Sequence, residues 1–345
     1  MKADSAVRRP PVMEDVAKLA GVSHQTVSRV LNEHPNVSAK TRERVEKAIA
    51  ELGYRRNTAA RSLVTRRSQT IGVLGSGMSE YGPANVLLGV QQAARDKGYS
   101  VSMASLSKVT AAAIRDALEH FMLQPVDGIV VIVPHEAMFR SLRTIRIAVP
   151  LVAVGFGVEE GLSVAAVNQR MGAGLAVQHL VDLGHTAIAH VSGPPDWIDA
   201  AARIEGWRHT LAEAGLPATA LIRGDWSAES GYRAGLELAA GRTVTALFAA
   251  NDQMALGALR AFDEAGLRVP ADISVVGYDD QPEAAYFVPP LTTVNQGFKQ
   301  LGARSMQMLL SKMDDGSGLR SGGSGAASVV NPVLVVRSST ARPLV

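Results

Sequence analysis

No cysteine occurs in the 345 residues, which excludes disulfides and thiolate metal sites. No stretch reaches the roughly 18 to 20 consecutive apolar residues that a membrane span requires. The N-terminus, MKADSAVRRPPV, has basic residues with no apolar run behind them, so no secretory signal and no membrane partner are expected. Also missing are a Walker A string, a G-x-G-x-x-G fingerprint, a G-x-S-x-G elbow and an H-E-x-x-H pair. GFGVEEG, residues 155–161, approaches a dinucleotide fingerprint and misses its spacing. His179, His185 and His190 are close in sequence but fall on a helix, a turn and a strand, so they are not expected to converge on a metal. The expectation is a cytoplasmic protein that is not an enzyme and carries no cofactor or metal.

The charge that is present is unevenly placed. Residues 1–68 hold 14 Lys/Arg against 7 Asp/Glu, or +7, whereas residues 69–345 carry −4. A basic head on a mildly acidic body suits a protein that touches phosphates with one end only. Within that head, MEDVAKLAGVSHQTVSRVLN (13–32) reads as two short helices at a tight turn. Val16, Leu19 and Ala20 form one apolar stripe, and Val27, Val30 and Leu31 form the other. Gly21 stands at the turn, and Ser23 stands where a hydroxyl caps the second helix. The outward face of that helix offers His24, Gln25, Ser28 and Arg29, side chains able to hydrogen-bond base edges in a major groove. Thr26 and Asn32 belong to the same candidate DNA-reading set. Ser38 caps a third helix in which Val45, Ala48, Ile49 and Leu52 face inward, and Gly53 ends it.

Any alanine-rich helix pair has a polar outer face, but here the pattern runs on. DVAKLAGVSHQTVSRVLN followed by VSAKTRERVEKAIAELGY resembles the DNA-binding headpiece of the LacI/GalR family nearly position for position. The resemblance implies a homodimer on an inverted-repeat operator, bound to the nucleoid when engaged. It also implies that the arginine-rich segment RRNTAARSLVTRRS (55–68) is a hinge helix paired in the minor groove, with Asn57 at its start and Leu63 wedged into a base step. Read without the resemblance, this segment is a flexible linker, since so short a helix is marginal alone. Residues 1–12 are expected to be a disordered arm, residues 13–54 the headpiece, and residues 69–345 a separate core.

From Thr70 short apolar runs alternate with helical stretches, the pattern of parallel sheets with helices on both faces. Strands are predicted at 71–74, 99–105, 127–133, 151–155, 186–192, 246–250 and 273–278. Helices are predicted near 84–97, 110–123, 169–183, 200–215, 228–240, 252–265 and 297–311. About 270 residues of this kind fill two sheets, with a ligand crevice beyond the strand ends. The family resemblance makes this a two-lobed periplasmic-binding-protein-like core. Its N-lobe would comprise about 69–167 and 296–327, and its C-lobe about 168–295 and 328–340. The glycine- and serine-rich stretch 314–328 is expected to be a loop, followed by a strand in VLVVRSST.

Polar residues stand at the ends of these strands: Ser76 after IGVLG, Asn251 and Asp252 after ALFAA, and Asp279 and Asp280 after ISVVGY. Arg203 and Trp226 are nearby in the chain order. Carboxylate acceptors, guanidinium and amide donors and an indole against a C–H face together suit a sugar ring. GDWSAESG, ANDQMALGA, GLRVPADISVVGYDD and PPLTTVNQGF resemble the lactose-responsive members of the family. That resemblance places Arg203, Trp226, Asn251, Asp279, Gln296 and Phe298 in the effector pocket. Asp252 and Asp280 serve equally well as helix caps. Ile132 and Gly155 stand where those members have polar side chains, so a galactoside is one candidate among several mono- and disaccharides.

Two further expectations concern assembly. Val86, Leu87, Val90 and Ala94, with Tyr286 to Pro290, are predicted to form an isologous dimer contact. Past VLVVRSST only ARPLV remains, too short for the heptad helix with which lactose-responsive members tetramerise, so the dimer is the expected end point. Two rival functions share such a core. A solute-binding receptor would lack the basic headpiece, and a sugar-processing enzyme would need the catalytic motifs that are missing.

Overall fold

The computed structural model describes residue 9 and residues 11–54, 67–142, 145, 147–155, 162–218, 220–314 and 327–344. Most of the arm 1–12, the hinge segment with Asn57 and Leu63, the run 156–161 and the loop 315–326 lie outside the described residues. The chain forms two units, Met1–Ser68 and Gln69–Val345.

The first unit contains α1 (Met13–Ala20), α2 (His24–Leu31) and α3 (Ala39–Leu52). Gly21 ends α1 at φ 62°, a left-handed conformation open to glycine at no steric cost. The Ser23 hydroxyl accepts the Thr26 amide at 3.1 Å, and that of Ser38 accepts the Thr41 amide at 3.3 Å, so α2 and α3 start where the sequence places caps. Val16, Ala17, Ala20, Val27, Val30, Val45, Ala48 and Tyr54 close a small core. Leu19, expected inside, is 47% exposed. The helix meets both neighbours through Val16, Ala17 and Ala20, and Leu19 lies one step around from that stripe.

In the second unit a six-stranded sheet runs in the order β11-β5-β4-β3-β1-β2, all parallel. Its strands are β1 (Thr70–Ser76), β2 (Ser100–Leu106), β3 (Gly128–Ile132), β4 (Leu151–Val154), β5 (Val164–Val167) and β11 (Ala327–Val330). Helices α4 (Tyr81–Asp96), α5 (Ala111–Leu123), α6 (Glu136–Leu142) and α11 (Phe298–Asp314) belong to this lobe. Alternate residues of β3 enter opposite cores: Ile129 and Val131 pack with Phe121 and Leu118, and Val130 and Ile132 pack with Val90 and Leu301.

A four-stranded parallel sheet, β7-β6-β8-β9, forms the other lobe. It is built of β6 (Ile188–Ser192), β7 (Leu221–Arg223), β8 (Ala246–Ala249) and β9 (Ser274–Val276). Its helices are α7 (Gln169–Asp182), α8 (Ile198–Glu213), α9 (Ala228–Gly241) and α10 (Asp252–Glu264). An antiparallel pair, β10 (Thr293–Asn295) with β12 (Val333–Val335), packs against α7. The chain therefore crosses between lobes three times: at Asn168, at 296–297 and at 331–332. The last crossing falls beyond the expected 328, because β11 is a strand of the first sheet and buries Val330 there. Strands β5, β7, β10 and β11, each three or four residues long, were not among those predicted, nor was α6.

Three of the four α4 residues expected at the dimer contact face inward, while Leu87 is half-buried. Val86, Val90 and Ala94 are buried within the lobe, where Gly89 and Gly302 let α4 and α11 approach so closely that a Cβ on Gly89 would stand 2.7 Å from the Phe298 carbonyl oxygen. Leu88, Tyr286 and Val288 are the large apolar groups left exposed near the predicted segments.

Helices α9 and α10 meet more tightly still, since a Cβ on Gly257 would stand 1.8 Å from the Ala228 carbonyl oxygen. Gly257→Ala is expected to force the pair apart and to cost about 3 kcal/mol of stability. A lowered urea midpoint checks this, and an unchanged one would mean the two helices slide freely.

Candidate DNA-reading helix and ligand cleft

On the headpiece, His24, Gln25 and Arg29 are exposed, and Ser28 is half-buried on the same side of α2. Ser23 and Thr26 are engaged with each other, their hydroxyls 2.9 Å apart, so they hold the start of the helix. The Asn32 amide lies 3.5 Å from the Ser28 hydroxyl at the far end. Three exposed side chains with planar or forked donors and acceptors can thus reach base edges along the first turns of α2.

In the core, a cavity opens between the lobes at the strand ends, and its empty space, open solvent at its mouth included, is about 680 Å³. Arg203, Trp226, Asn251, Asp279, Gln296 and Phe298 all line it. Ser76 does not: it is 2% exposed, and its hydroxyl donates to Met138 Sδ at 3.8 Å. The first-lobe wall at Ile132, Val133, Pro134, Val154 and Gly155 offers no polar side chain. Apart from Glu80 and Tyr81 at the start of α4, the polar groups come from the second lobe and the crossovers.

Four of them form a closed circuit. Arg203 Nε donates to Gln169 Oε1 at 3.0 Å, and Gln169 Nε2 donates to Gln296 Oε1 at 2.7 Å. Gln296 Nε2 donates to Asp279 Oδ1 at 2.5 Å, and Arg203 Nη2 completes the ring 4.0 Å from that oxygen. Gln169 and Gln296 sit at two of the three crossovers, so anything that displaces this circuit acts on the joint between the lobes. The guanidinium also donates through Nη1 to the Ala250 carbonyl and lies 3.9 Å from the Tyr278 ring centre and 5.5 Å from that of Trp226.

Asn251 has two local duties: its Oδ1 caps α10 by accepting the Met254 amide at 2.8 Å, and its Nδ2 holds the Trp226 carbonyl at 2.9 Å. This fixes Trp226 in a left-handed backbone conformation, φ 74°. The Trp226 Nε1 is buried with no partner among the described residues. Phe298 meets Tyr81 edge to face at 5.9 Å.

Asp252 and Asp280, considered as helix caps or ligand contacts, cap no α-helix and do not line the cavity. Asp252 accepts the Thr293 hydroxyl at 2.5 Å and the Gln281 amide at 2.8 Å, while Asp280 pairs with Arg337 at 2.6 Å and accepts Asn295 Nδ2 at 2.9 Å. They pin the turn that presents Asp279. Sequence reasoning missed Gln169, Trp197, Asp199, Glu80 and Tyr81, all of which line the cavity. Trp197, Asp199 and Glu80 follow β6 and β1, so the same strand-end rule could have found them. Of the three histidines, His179 bonds Thr340, His185 bonds Thr245, and His190 bonds the Phe248 carbonyl. No group able to hold a metal occurs among the described residues. No described helix is long and apolar enough to cross a membrane.

Burial governs the charge states. It pushes Asp279 up to about 6 against the opposing pull of Arg203 and the Gln296 amide, and it pushes Asp252 up to about 8, helped by the nearby Asp279 charge. Both carboxyls titrate above the 3.8 of a free side chain, so each binds more protons in the folded core than in the unfolded chain. Burial holds His190 down to about 3 and lowers His179 and His185, which acts the other way below 6.5, so core stability is expected to fall with rising pH between about 6.5 and 8, where Asp252 still titrates. Urea unfolding at stepped pH measures this, and stability rising with pH across that window would contradict it.

Residues 12–57 match the family described as bacterial regulatory proteins, lacI family, and residues 177–340 match a periplasmic binding protein-like domain. The lactose operon repressor of Escherichia coli K12 is 39% identical over 304 residues, covering 88% of this chain and 84% of that protein. The chain belongs to the lacI family. A crystal structure of the lac repressor dimer bound to operator and the anti-inducer ONPF superposes with a TM-score of 0.84 at 36% identity, over 96% of this chain and 100% of that one. The regulator CelR in complex with cellobiose superposes with a TM-score of 0.70 at 33% identity, over 95% and 99%. This lacI-family member is thus a DNA-binding transcriptional repressor with an effector-binding core. These relatives are transcriptional regulators, not enzymes.

Proposed function

We propose that the chain acts in the cytoplasm as a homodimeric, non-enzymatic repressor of an inverted-repeat operator, and that a mono- or disaccharide bound between the lobes sets its operator affinity. The circuit Arg203–Gln169–Gln296–Asp279 carries the reading, because it joins ligand-type groups to the crossovers. A sugar hydroxyl that donates to Asp279 competes with the Gln296 amide there and so favours one arrangement of the lobes over another. An effector shifts an equilibrium only by its differential affinity for two states, and this contact supplies such a difference. His24, Gln25, Ser28 and Arg29 would read bases, with Ser23, Thr26 and Asn32 supporting them. The hinge residues 55–68, with Asn57 and Leu63, would pair on the minor groove. Lactose, other galactosides and cellobiose are the first effectors to try, since relatives bear the names of the lactose operon and the cellobiose complex.

The test begins by selecting duplexes from a random pool with the full chain and follows with fluorescence anisotropy against a sugar panel. A palindromic winner and a tenfold or larger shift in its Kd with one sugar are expected. Enrichment of no duplex, or a Kd indifferent to every sugar, would refute the proposal.

A further inference from the structure

Resting on the reading of the cleft as a sugar site, we propose that the effector is an uncharged glycoside and that Asp199 and Glu80 make the cleft reject phosphorylated sugars. Among the described residues, the cavity is lined by three carboxylates, Glu80, Asp199 and Asp279, against a single cation, Arg203. That cation is already committed. Its Nε and Nη1 donate to Gln169 and Ala250, its Nη2 faces Asp279, and aromatic rings lie over it. No fork of two parallel donors remains with which to grip a phosphate.

The other anion-binding device in such a crevice is a helix N-terminus, whose free amides and dipole favour negative charge. Five helices reach this cavity with their first turns; α4, α8 and α10 each carry an acid there, whereas α7, whose N-cap Asn168 takes the Met171 amide, and α11 carry none. Glu80 is the N-cap residue of α4, and Asp199 lies in the first turn of α8. A phosphate arriving at either end would meet a carboxylate.

What the cleft leaves unfilled has the opposite character. Asp199 accepts no hydrogen bond from the described residues, and burial holds its carboxyl above the usual range even though Arg203 pulls it down. Glu80 is raised by burial as well, and by the field of Asp225. The Trp226 Nε1 is one neutral donor, 95% buried with its residue and without a partner. Hydroxyl groups match this set, since each O–H can donate to a carboxylate while an oxygen lone pair accepts from the indole. A dianion supplies acceptors only and has no hydrogen to donate to these carboxylates.

The experiment is isothermal titration of the full chain with cellobiose, lactose, maltose, sucrose and trehalose, each beside its 6-phosphate. Every neutral member that binds is expected to lose at least 100-fold in affinity when phosphorylated. In Asp199→Asn and Glu80→Gln, each checked for cooperative melting, that gap should narrow tenfold or more. A phosphorylated sugar that binds as tightly as its neutral partner would overturn the proposal, as would failure of every neutral member to bind. An unchanged gap in both folded variants would overturn the role of the two acids. A neutral sugar that binds with the expected gap yet leaves operator affinity unaltered would count against the repressor mechanism alone.

Discussion

Asp279→Asn is expected to uncouple the repressor from its effector while leaving the unliganded protein on its operator. Asparagine keeps an oxygen that can accept the Gln296 amide, so the circuit at the crossovers survives. It removes the charge to which ligand hydroxyls donate, a class of hydrogen bond worth about 1.5–3 kcal/mol, and effector affinity should fall roughly 10- to 150-fold. The unliganded core should lose no stability at pH 8. Burial raises Asp279 to about 6 from 3.8, so its ionised form opposes folding by about 3 kcal/mol, and the substitution removes that opposition. The same titration sets a pH signature. Hydroxyl donation favours the carboxylate, so effector affinity in the parent protein should rise as pH climbs through about 6, and the variant should show a flat profile. Calorimetry across pH 5–8 decides the matter. Parent-like affinity and slope in the variant would place the ligand elsewhere.

Arg29→Ala carries the second large effect. Arg29 is exposed on α2 and its guanidinium makes no hydrogen bond to other described residues, so its fork is free to reach a guanine edge. Loss of such a contact should cost about 1–3 kcal/mol and relax preference at one base pair in each half-site. Arg44, exposed on α3 away from the reading helix, serves as the control. Arg44→Ala should weaken operator and random duplex alike, as loss of a phosphate contact does. Competition assays against single-position operator variants separate the two. Equal losses on operator and random DNA for Arg29→Ala would remove it from the base-reading set.

The headpiece was legible because its signals are local. Gly21, Ser23, Ser38 and Gly53 each act on amides or carbonyls within one helical turn, and all four stand where the helices start and stop. Leu19 was misplaced because a stripe at i, i+3, i+4 fits two adjacent faces of a short helix, and only the crossing of α3 selects between them. The strand-end rule likewise brought Arg203, Trp226, Asn251, Asp279, Gln296 and Phe298 to one cavity, since open parallel sheets collect ligand groups there. It failed for Ser76, whose hydroxyl turns the other way to Met138.

The chain order of residues thus determined by itself the three capped helices, the alternation that builds parallel sheets, and the identity of the groups at the strand ends. Tertiary structure alone decided how those groups are used. It set Gln169 between Arg203 and Gln296 and spent Asp252 and Asp280 on holding a turn. It also covered Val86, Val90 and Ala94 with α11 from the same lobe, where the sequence suggested a second copy. Periodicity and composition report which face of an element is apolar and which residue can donate or accept. Which neighbour meets that face is fixed by contacts between residues as far apart as 169 and 296, and no local pattern encodes such a contact.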